Sequence, residues 1–452
     1  MPHFTFVADD LTGASDVLAQ AHRYGLEAVL VMGDAPLPEN ADVVGIAGPA
    51  RSLGGPAFEH RVRADLDRIA GITSDVLLYK VCSTFDSSPT MGSIGRGIEL
   101  LQEQFPGHGP IPVVPAQPVL GRYTAFSEHY AAYAGEVYRL DRHPVMSQHP
   151  STPMHEADLR KVLAAQLHDD AHIGAIHLPA YDDGAFAGSW LRHRQGTTMR
   201  AFVVDAVSDA HLDVVTGCLQ HGRQHANHDG LTGSGEPEIV VGSGGIMAAL
   251  ARTLTLAASG TETLPAPPPP AAGPVLAVSA SASSVTSAQL QDAIDHGWVD
   301  VPVESNLLRE DNPVGRAKLL EQVSSALRAG QHVAVHTTRG ASDSRYASTG
   351  PLDAKYIGTL LGDLAAQMAQ QGLTSDIAVL GGDTSSHALT AMGVRELRVT
   401  GEFVTAAPIC RSDDDAAVAG CRLVLKGGQI GPPDLLRRFA GTAAASATAS
   451  SL

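Results

Sequence analysis

Basic side chains are scarce in this 452-residue chain: 31 Lys and Arg stand against 48 Asp and Glu, a formal charge of −17. Such a surface repels nucleic acid and anionic lipid, so neither is expected as a partner, and a small anionic ligand must be gripped by a local cluster of cations. Cysteine is nearly absent. Cys82, Cys218, Cys410 and Cys421 form no C-x-x-C pair and no metal spacing, which fits a reducing compartment. No apolar run is long enough to span a bilayer. Strand-like sequence beginning at Phe4 leaves no room for a signal peptide, and a cytoplasmic location is expected. Also missing is G-x-x-x-x-G-K-[ST], so any phosphate loop here is not of the Walker type.

What is present reads as a soluble globular protein, 44% hydrophobic and 17% charged. Its length exceeds what one core usually serves, so two domains are expected. Phe4 to Ala8 reads as a buried strand, Asp9 to Gly13 as a turn, Ser15 to Tyr24 as a helix closed by Gly25, and Ala28 to Met32 as the next strand. Apolar runs recur at Val43 to Ala47, Asp75 to Lys80, Ile111 to Pro115, Ile173 to Leu178, Ala201 to Asp205 and Ile239 to Val241, mostly separated by helix-length segments. This alternation predicts an α/β fold with a mostly parallel sheet. Residues 1–258 form the first expected domain, and 259–273, rich in Ala, Thr and Pro, a linker. A second α/β domain is expected over 274–440, with a disordered Ala/Ser/Thr tail over 441–452.

The second half centres on Asp376 to Gly393, a buried strand followed by Gly381-Gly382-Asp383-Thr384 and a helix. The two glycines let the backbone approach an anion closely, and Asp383 or Thr384 suits a helix cap whose neighbouring amides are free. Those amides and the helix dipole favour a phosphate. In open parallel sheets ligands sit beyond the carboxyl ends of the strands. In the first domain the residues at that edge are Asp9, Asp10, Arg51, Lys80, Ser83, Thr84, Gln117 and Arg122, which suit a polyhydroxylated acid: cations for its carboxylate, and a carboxylate to take a proton from an attacking hydroxyl. In the second, Ser279 to Ser284, Gly381 to Thr384 and Lys426 to Gly431 offer small residues and amides, which suits a nucleotide.

Taken in order, Ala8-Asp-Asp-Leu-Thr-Gly-Ala14, Tyr79-Lys80 with Ser83-Thr84, Pro115-Ala116 with Gly121-Arg122, Val204-Asp-Ala206, Gly242-Ser-Gly-Gly245, Ser279 to Ser281, Gly381 to Ser385 and Lys426-Gly-Gly428 resemble the four-carbon acid sugar kinase family. The resemblance implies a first domain that holds an acid sugar and a second that holds ATP with Mg2+, with the active site in the interdomain cleft. It makes Asp9 and Asp10 substrate-binding residues and candidates for the base. It makes Ser279, Gly381, Gly382, Asp383, Thr384 and Gly428 nucleotide contacts, with Ser281 and Gly427 beside them. Two departures stand out. Asp86 lies where the family usually has a substrate-binding arginine, which Arg96 on the following helix is expected to replace. Ala280 replaces a common glycine, which is tolerable if its φ is negative. A branched or oxo acid, such as 3-oxo-isoapionate, is then as good a candidate as threonate.

Two other functions are weighed. Val241-Gly-Ser-Gly-Gly-Ile246 ahead of a helix suggests a nicotinamide-dependent oxidoreductase, but the spacing is not G-x-G-x-x-G and the acidic residue wanted about 20 positions on falls in the linker. A non-catalytic sugar-acid or nucleotide-binding protein is the other. His221, His225 and His228 share a helical face and raise a metal site, against which stands a segment rich enough in glycine to loop. No metal-ligand set is therefore assigned, Cys82 is expected to be a buried strand-end residue, and the oligomeric state is left open.

Overall fold

The computed structural model describes residues 2–149, 151–169, 172–196, 198–229, 236–259, 269–309, 312–340, 343–345 and 352–443. The chain divides into two compact units, Met1–Pro265 and Ala266–Leu452.

In the first unit, strands β1 (Phe4–Ala8), β2 (Ala28–Val31), β3 (Val43–Ala47), β4 (Val76–Lys80) and β5 (Ile111–Val114) are buried along their whole length. An antiparallel meander follows, β6 (Arg122–Ala125), β7 (Glu128–Tyr133) and β8 (Glu136–Arg139). The chain then returns through β9 (His172–Ile176), β10 (Met199–Val204) and β11 (Glu238–Gly242). The large sheet runs β2-β3-β1-β4-β11-β5-β10-β9 with every pairing parallel. Continuous apolar strands are what a sheet covered on both faces demands. The helix Gly55–Ile69 covers one face with Phe58, Val62, Leu66 and Ile69, a helical spacing of four, four and three. The helix Leu11–Arg23 packs with the helix Gly244–Ser259. The connections from β1 and β4 leave in different directions, so a topological switch lies between these neighbours, the position at which open parallel sheets bind ligands beyond the carboxyl ends of their strands.

In the second unit β12 (Val275–Ser279), β13 (Val299–Pro302), β14 (Val333–His336), β15 (Asp376–Leu380), β16 (Glu396–Val404), β17 (Ala407–Ser412) and β18 (Arg422–Lys426) run in the order β13-β14-β12-β15-β18-β17-β16. The first five of that order are parallel, and β17 is antiparallel to both its neighbours. The core packs Leu290 and Ala293 of the helix Ser284–Asp295 and Leu435, Leu436 and Phe439 of the helix Leu435–Ala440 against β12 and β15. The switch falls between β12 and β15.

Several local expectations change. The segment Asp9 to Gly13 is not a free turn: the helix begins at Leu11, because the extended Asp10 caps it, accepting the Gly13 N–H at 2.8 Å. Neither Asp383 nor Thr384 is the cap of its helix. Gly381 takes that position with φ 128°, a conformation that disfavours any side chain, and the helix Gly382–Ala391 carries Asp383 and Thr384 in its first turn. The segment from His221 to His228 does not loop, since the helix Asp209–Asp229 runs through it. The side chains of His221, His225 and His228 lie outside the described residues, as does the tail from residue 444. Ala280 is not among the residues with positive φ, so its methyl group is accommodated.

Candidate functional site

Beyond the carboxyl ends of β1 and β4 the first unit gathers two carboxylates and two cations. Arg51 donates through Nη2 and Nε to Asp9 at 2.7 and 3.1 Å, and through the same Nη2 to Asp10 at 2.8 Å. Thr12 Oγ1 donates to the other oxygen of Asp10 at 2.5 Å. Lys80 Nζ donates to the Val81 carbonyl at 2.8 Å and completes the cluster. A β-carbon on Gly13 would lie 3.0 Å from that Nζ and 2.5 Å from Asp10 Oδ1, so only glycine lets the helix start this close to the charges.

The environment drives the two adjacent carboxylates apart. Burial raises Asp9 above the ordinary carboxylate range despite Arg51. Burial pushes Asp10 the same way but is outweighed by Arg51, Lys80, Thr12 and the Gly13 amide, and Asp10 ends below that range. Neighbouring acids of opposite bias are what general-base chemistry uses: one group able to take a proton, the other held ionised.

The loop after β4 carries Ser83, Thr84 and Asp86. Thr84 Oγ1 donates to Asp86 at 2.7 Å, and Phe85 sits fully buried at φ 57°, a conformation uncommon for an aromatic residue. His129 of β7 braces the loop. Its Nε2–H donates to the Ser83 carbonyl at 2.8 Å while Nδ1 accepts from the Thr124 hydroxyl at 2.9 Å, and burial pushes this imidazole down to about 4. Arg122 donates to the carbonyls of Leu120, Gly121 and Ala132 and, among the described residues, pairs with no carboxylate; burial lowers it, while Cys82 and Asp86 lie near enough to counteract. Cys82 is pushed up to about 11 by burial, which suits an inert thiol.

Arg96 does not join this cluster. Its guanidinium is committed to Glu59 at 3.0 Å, Glu99 at 2.7 Å and Glu103 at 3.0 Å, and it does not replace the missing arginine at Asp86. Gln117 is fully buried and turns its amide nitrogen to Asp16, 3.0 and 3.2 Å from the two oxygens, while its Oε1 has no partner among the described residues. Asp16 was not anticipated; a carboxylate on the buried stripe of a helix was its one sequence signal. It also fills the glycine turn after β11: a β-carbon on Gly244 would meet Asp16 Oδ2 at 2.1 Å, and one on Gly245 the Ala116 carbonyl at 2.3 Å. These glycines serve close packing, and a carboxylate stands where a dinucleotide's pyrophosphate would have to lie, which removes the basis for an oxidoreductase.

In the second unit three loops meet at Ser281. A β-carbon on Gly381 would lie 3.5 Å from Ser281 Cβ, and one on Gly428 3.2 Å from Ser281 Oγ. Ser279, Ser281 and Ser283 fold the first loop, each hydroxyl accepting the amide two residues on. The helix Gly382–Ala391 has no side-chain cap, leaving first-turn amides for an anion. Ser279, Ser281, Gly381, Gly382, Gly427 and Gly428 thus gather at the carboxyl ends of β12, β15 and β18; the side chains of Asp383 and Thr384 lie outside the described residues. Lys426, which ends β18, is named in the sequence only as part of the Lys426-Gly-Gly428 motif, with no role of its own. Its Nζ is fully buried without a carboxylate partner among the described residues.

No helix among the described residues is long and apolar enough to cross a membrane, and no group of three or more His, Cys, Asp or Glu there could hold a metal ion. Residues 4–250 match the family model of a sugar-binding N-terminal domain, and residues 276–436 that of a nucleotide-binding C-terminal domain. The chain is 32% identical over 450 residues to a 3-oxo-isoapionate kinase of Paraburkholderia graminis, covering 94% of this chain and 91% of that one. It is 29% identical to a 3-oxo-tetronate kinase of Cupriavidus necator, covering 96% of both. The fold matches the crystal structure of a Salmonella typhimurium LT2 protein with a TM-score of 0.76 at 20% identity, over 96% of this chain and 98% of that one.

Proposed function

The chain belongs to the four-carbon acid sugar kinase family, and on that premise we propose that it transfers a phosphoryl group from ATP to a hydroxyl of a small sugar acid. The observation that carries this reading is the Asp9–Asp10 pair with its shared arginine. Phosphoryl transfer asks for positioning, charge neutralisation and a group that accepts the hydroxyl proton, rather than for covalent catalysis. Asp9, raised by burial, is the proton acceptor; Asp10, held ionised by Arg51, Lys80 and its cap bonds, fixes the guanidinium and the substrate hydroxyls. Lys80 and Arg122 supply positive charge to the substrate carboxylate, while Ser83, Thr84, Asp86 and the free Oε1 of Gln117 bind its hydroxyls. In the second unit Ser279, Ser281, Gly381, Gly382, Asp383, Thr384, Gly427 and Gly428 bind the nucleotide. The uncapped helix and the glycine at φ 128° fit phosphate oxygens, and Mg2+ arriving with the nucleotide would supply charge neutralisation at the phosphates.

The substrate is an oxo or branched acid of the kind named for the relatives, 3-oxo-isoapionate or a 3-oxo-tetronate. Asp86, with no cation bonded to it among the described residues, accepts hydrogen bonds from substrate hydroxyls, and the acid group takes the positive charge of Arg122 and Lys80. The test is ADP release with ATP and Mg2+ across a panel of 3-oxo-isoapionate, 3-oxo-tetronates and threonate. Turnover of an oxo acid supports the assignment; no ADP with any member removes it.

A further inference from the structure

The Gly428 carbonyl accepts three side-chain donors: Ser283 Oγ at 2.7 Å, Thr286 Oγ1 at 3.2 Å and Lys426 Nζ at 3.2 Å. Lys426 Nζ also donates to Thr286 Oγ1 and Gln289 Oε1, both at 2.8 Å. A planar trans peptide points its C=O and the next N–H in opposite directions. Fixing the Gly428 carbonyl inward therefore aims the Gln429 N–H outward, and that amide has no partner among the described residues. The turn is closed behind it by the Ile430 N–H on the Gly427 carbonyl at 3.3 Å.

Resting on the nucleotide reading above, we propose that Lys426 is a positioning residue for the phosphate-binding turn, and that nucleotide binding draws a proton onto it. Three acceptors around one nitrogen match the three donors of an ammonium, whereas a neutral amine has two and leaves one acceptor unmet. Among the described residues every group against that nitrogen is uncharged: Thr286 and Gln289 from the helix Ser284–Asp295, the backbone of the turn, and Leu380 beside it in β15. Asp292, further along the same helix, is held by Arg437 at 2.7 Å. With no counter-charge among the described residues, burial brings the lysine down to about 7, so at neutral pH a large share of the free protein carries the neutral amine. A polyphosphate arriving at the turn favours the charged form and so binds with proton uptake.

The experiment is calorimetric titration with Mg2+ and a non-hydrolysable ATP analogue at pH 8, where the triphosphate is already fully ionised, in two buffers of different ionisation enthalpy. Wild type is expected to take up a substantial fraction of a proton, and its nucleotide KM to rise as pH climbs above about 7 while kcat changes less. Lys426→Met is expected to bind about tenfold more weakly with no uptake. Gln289→Met, which removes one acceptor of Lys426 together with the bonds Gln289 donates to the Ile430, Gly431 and Pro432 carbonyls, is expected to keep the uptake even where binding weakens. Binding by wild type without proton uptake, or uptake unchanged in Lys426→Met, overturns the role of Lys426 alone. An absence of any binding heat overturns the nucleotide site itself, and the proposal with it.

Discussion

Gly13 faces Asp10 so closely that a β-carbon at residue 13 would fall 2.5 Å from Asp10 Oδ1, the oxygen that accepts the Gly13 amide. Asp10 cannot yield, because it is buried and held by Thr12, Gly13 and Arg51 together. Gly13→Ala should therefore open the cap and displace the Arg51 bridge, although alanine is the better helix former. The expected outcome is a loss of kcat/KM of about a hundredfold, the scale on which small misplacements act. Steady-state kinetics beside a thermal melt checks it. Unchanged activity would mean that the cluster is not part of the reaction.

Asp9 and Asp10 should separate under substitution. Asp9 is raised, so ionising it costs the folded state stability at neutral pH, and Asp9→Asn should melt close to wild type while losing about 10²- to 10⁴-fold in kcat. Asp10 is lowered, so its stabilisation is present above the unfolded carboxylate value and lost as pH falls. Asp10→Ala should cost about 3 kcal/mol from the lost cap and the broken buried pair. Since Asp9 must be ionised to accept a proton, the acid limb of kcat/KM should inflect above the ordinary value of about 3.9. Urea unfolding and pH–rate profiles give both readings.

Much of this was legible because strand ends are easy to find: apolar runs stop at Ala8, Lys80, Leu380 and Lys426, and the polar residues just after them form the clusters. The remainder depends on contacts made far along the chain. Arg96 looked free, yet Glu99 and Glu103 lie three and seven residues on along its own helix, and Glu59 reaches it from another. The hairpin of β16 and β17 turns through Thr405 and Ala406 with φ 63° at the alanine, and that of β6 and β7 through Phe126 and Ser127 at 53° and 67°. Without Gly or Asn at those positions no turn signal was visible. In the second hairpin the conformation is held from afar, by Asp205 accepting the amides of Phe126 at 2.6 Å and Ser127 at 2.9 Å.

His129 should set an acid limit on the fold. Its folded value of about 4 lies below the ordinary 6.5, so the unfolded chain binds the proton more readily. Stability is fully present above pH 6.5 and is lost as pH falls toward 4, by up to about 3 kcal/mol for a shift of this size. His129→Gln cannot take up that proton, so its stability should fall less between pH 7 and pH 4.5. Urea melts of both proteins at the two pH values check this, and parallel losses would refute it.

Arg122 offers the sharpest separation of binding from chemistry. Its guanidinium spends one nitrogen, Nη1, on backbone carbonyls and leaves Nε buried without a partner among the described residues. A buried donor left unmet costs stability, and it persists where a ligand completes it. If the substrate carboxylate is that ligand, Arg122→Lys keeps the charge and loses the planar fork, which should raise the sugar-acid KM by about tenfold or more with little change in kcat. The nucleotide KM should stay near wild type, because the residues proposed to bind the nucleotide belong to the other unit. A fall in kcat with an unchanged sugar-acid KM would move Arg122 from carboxylate binding to the transition state.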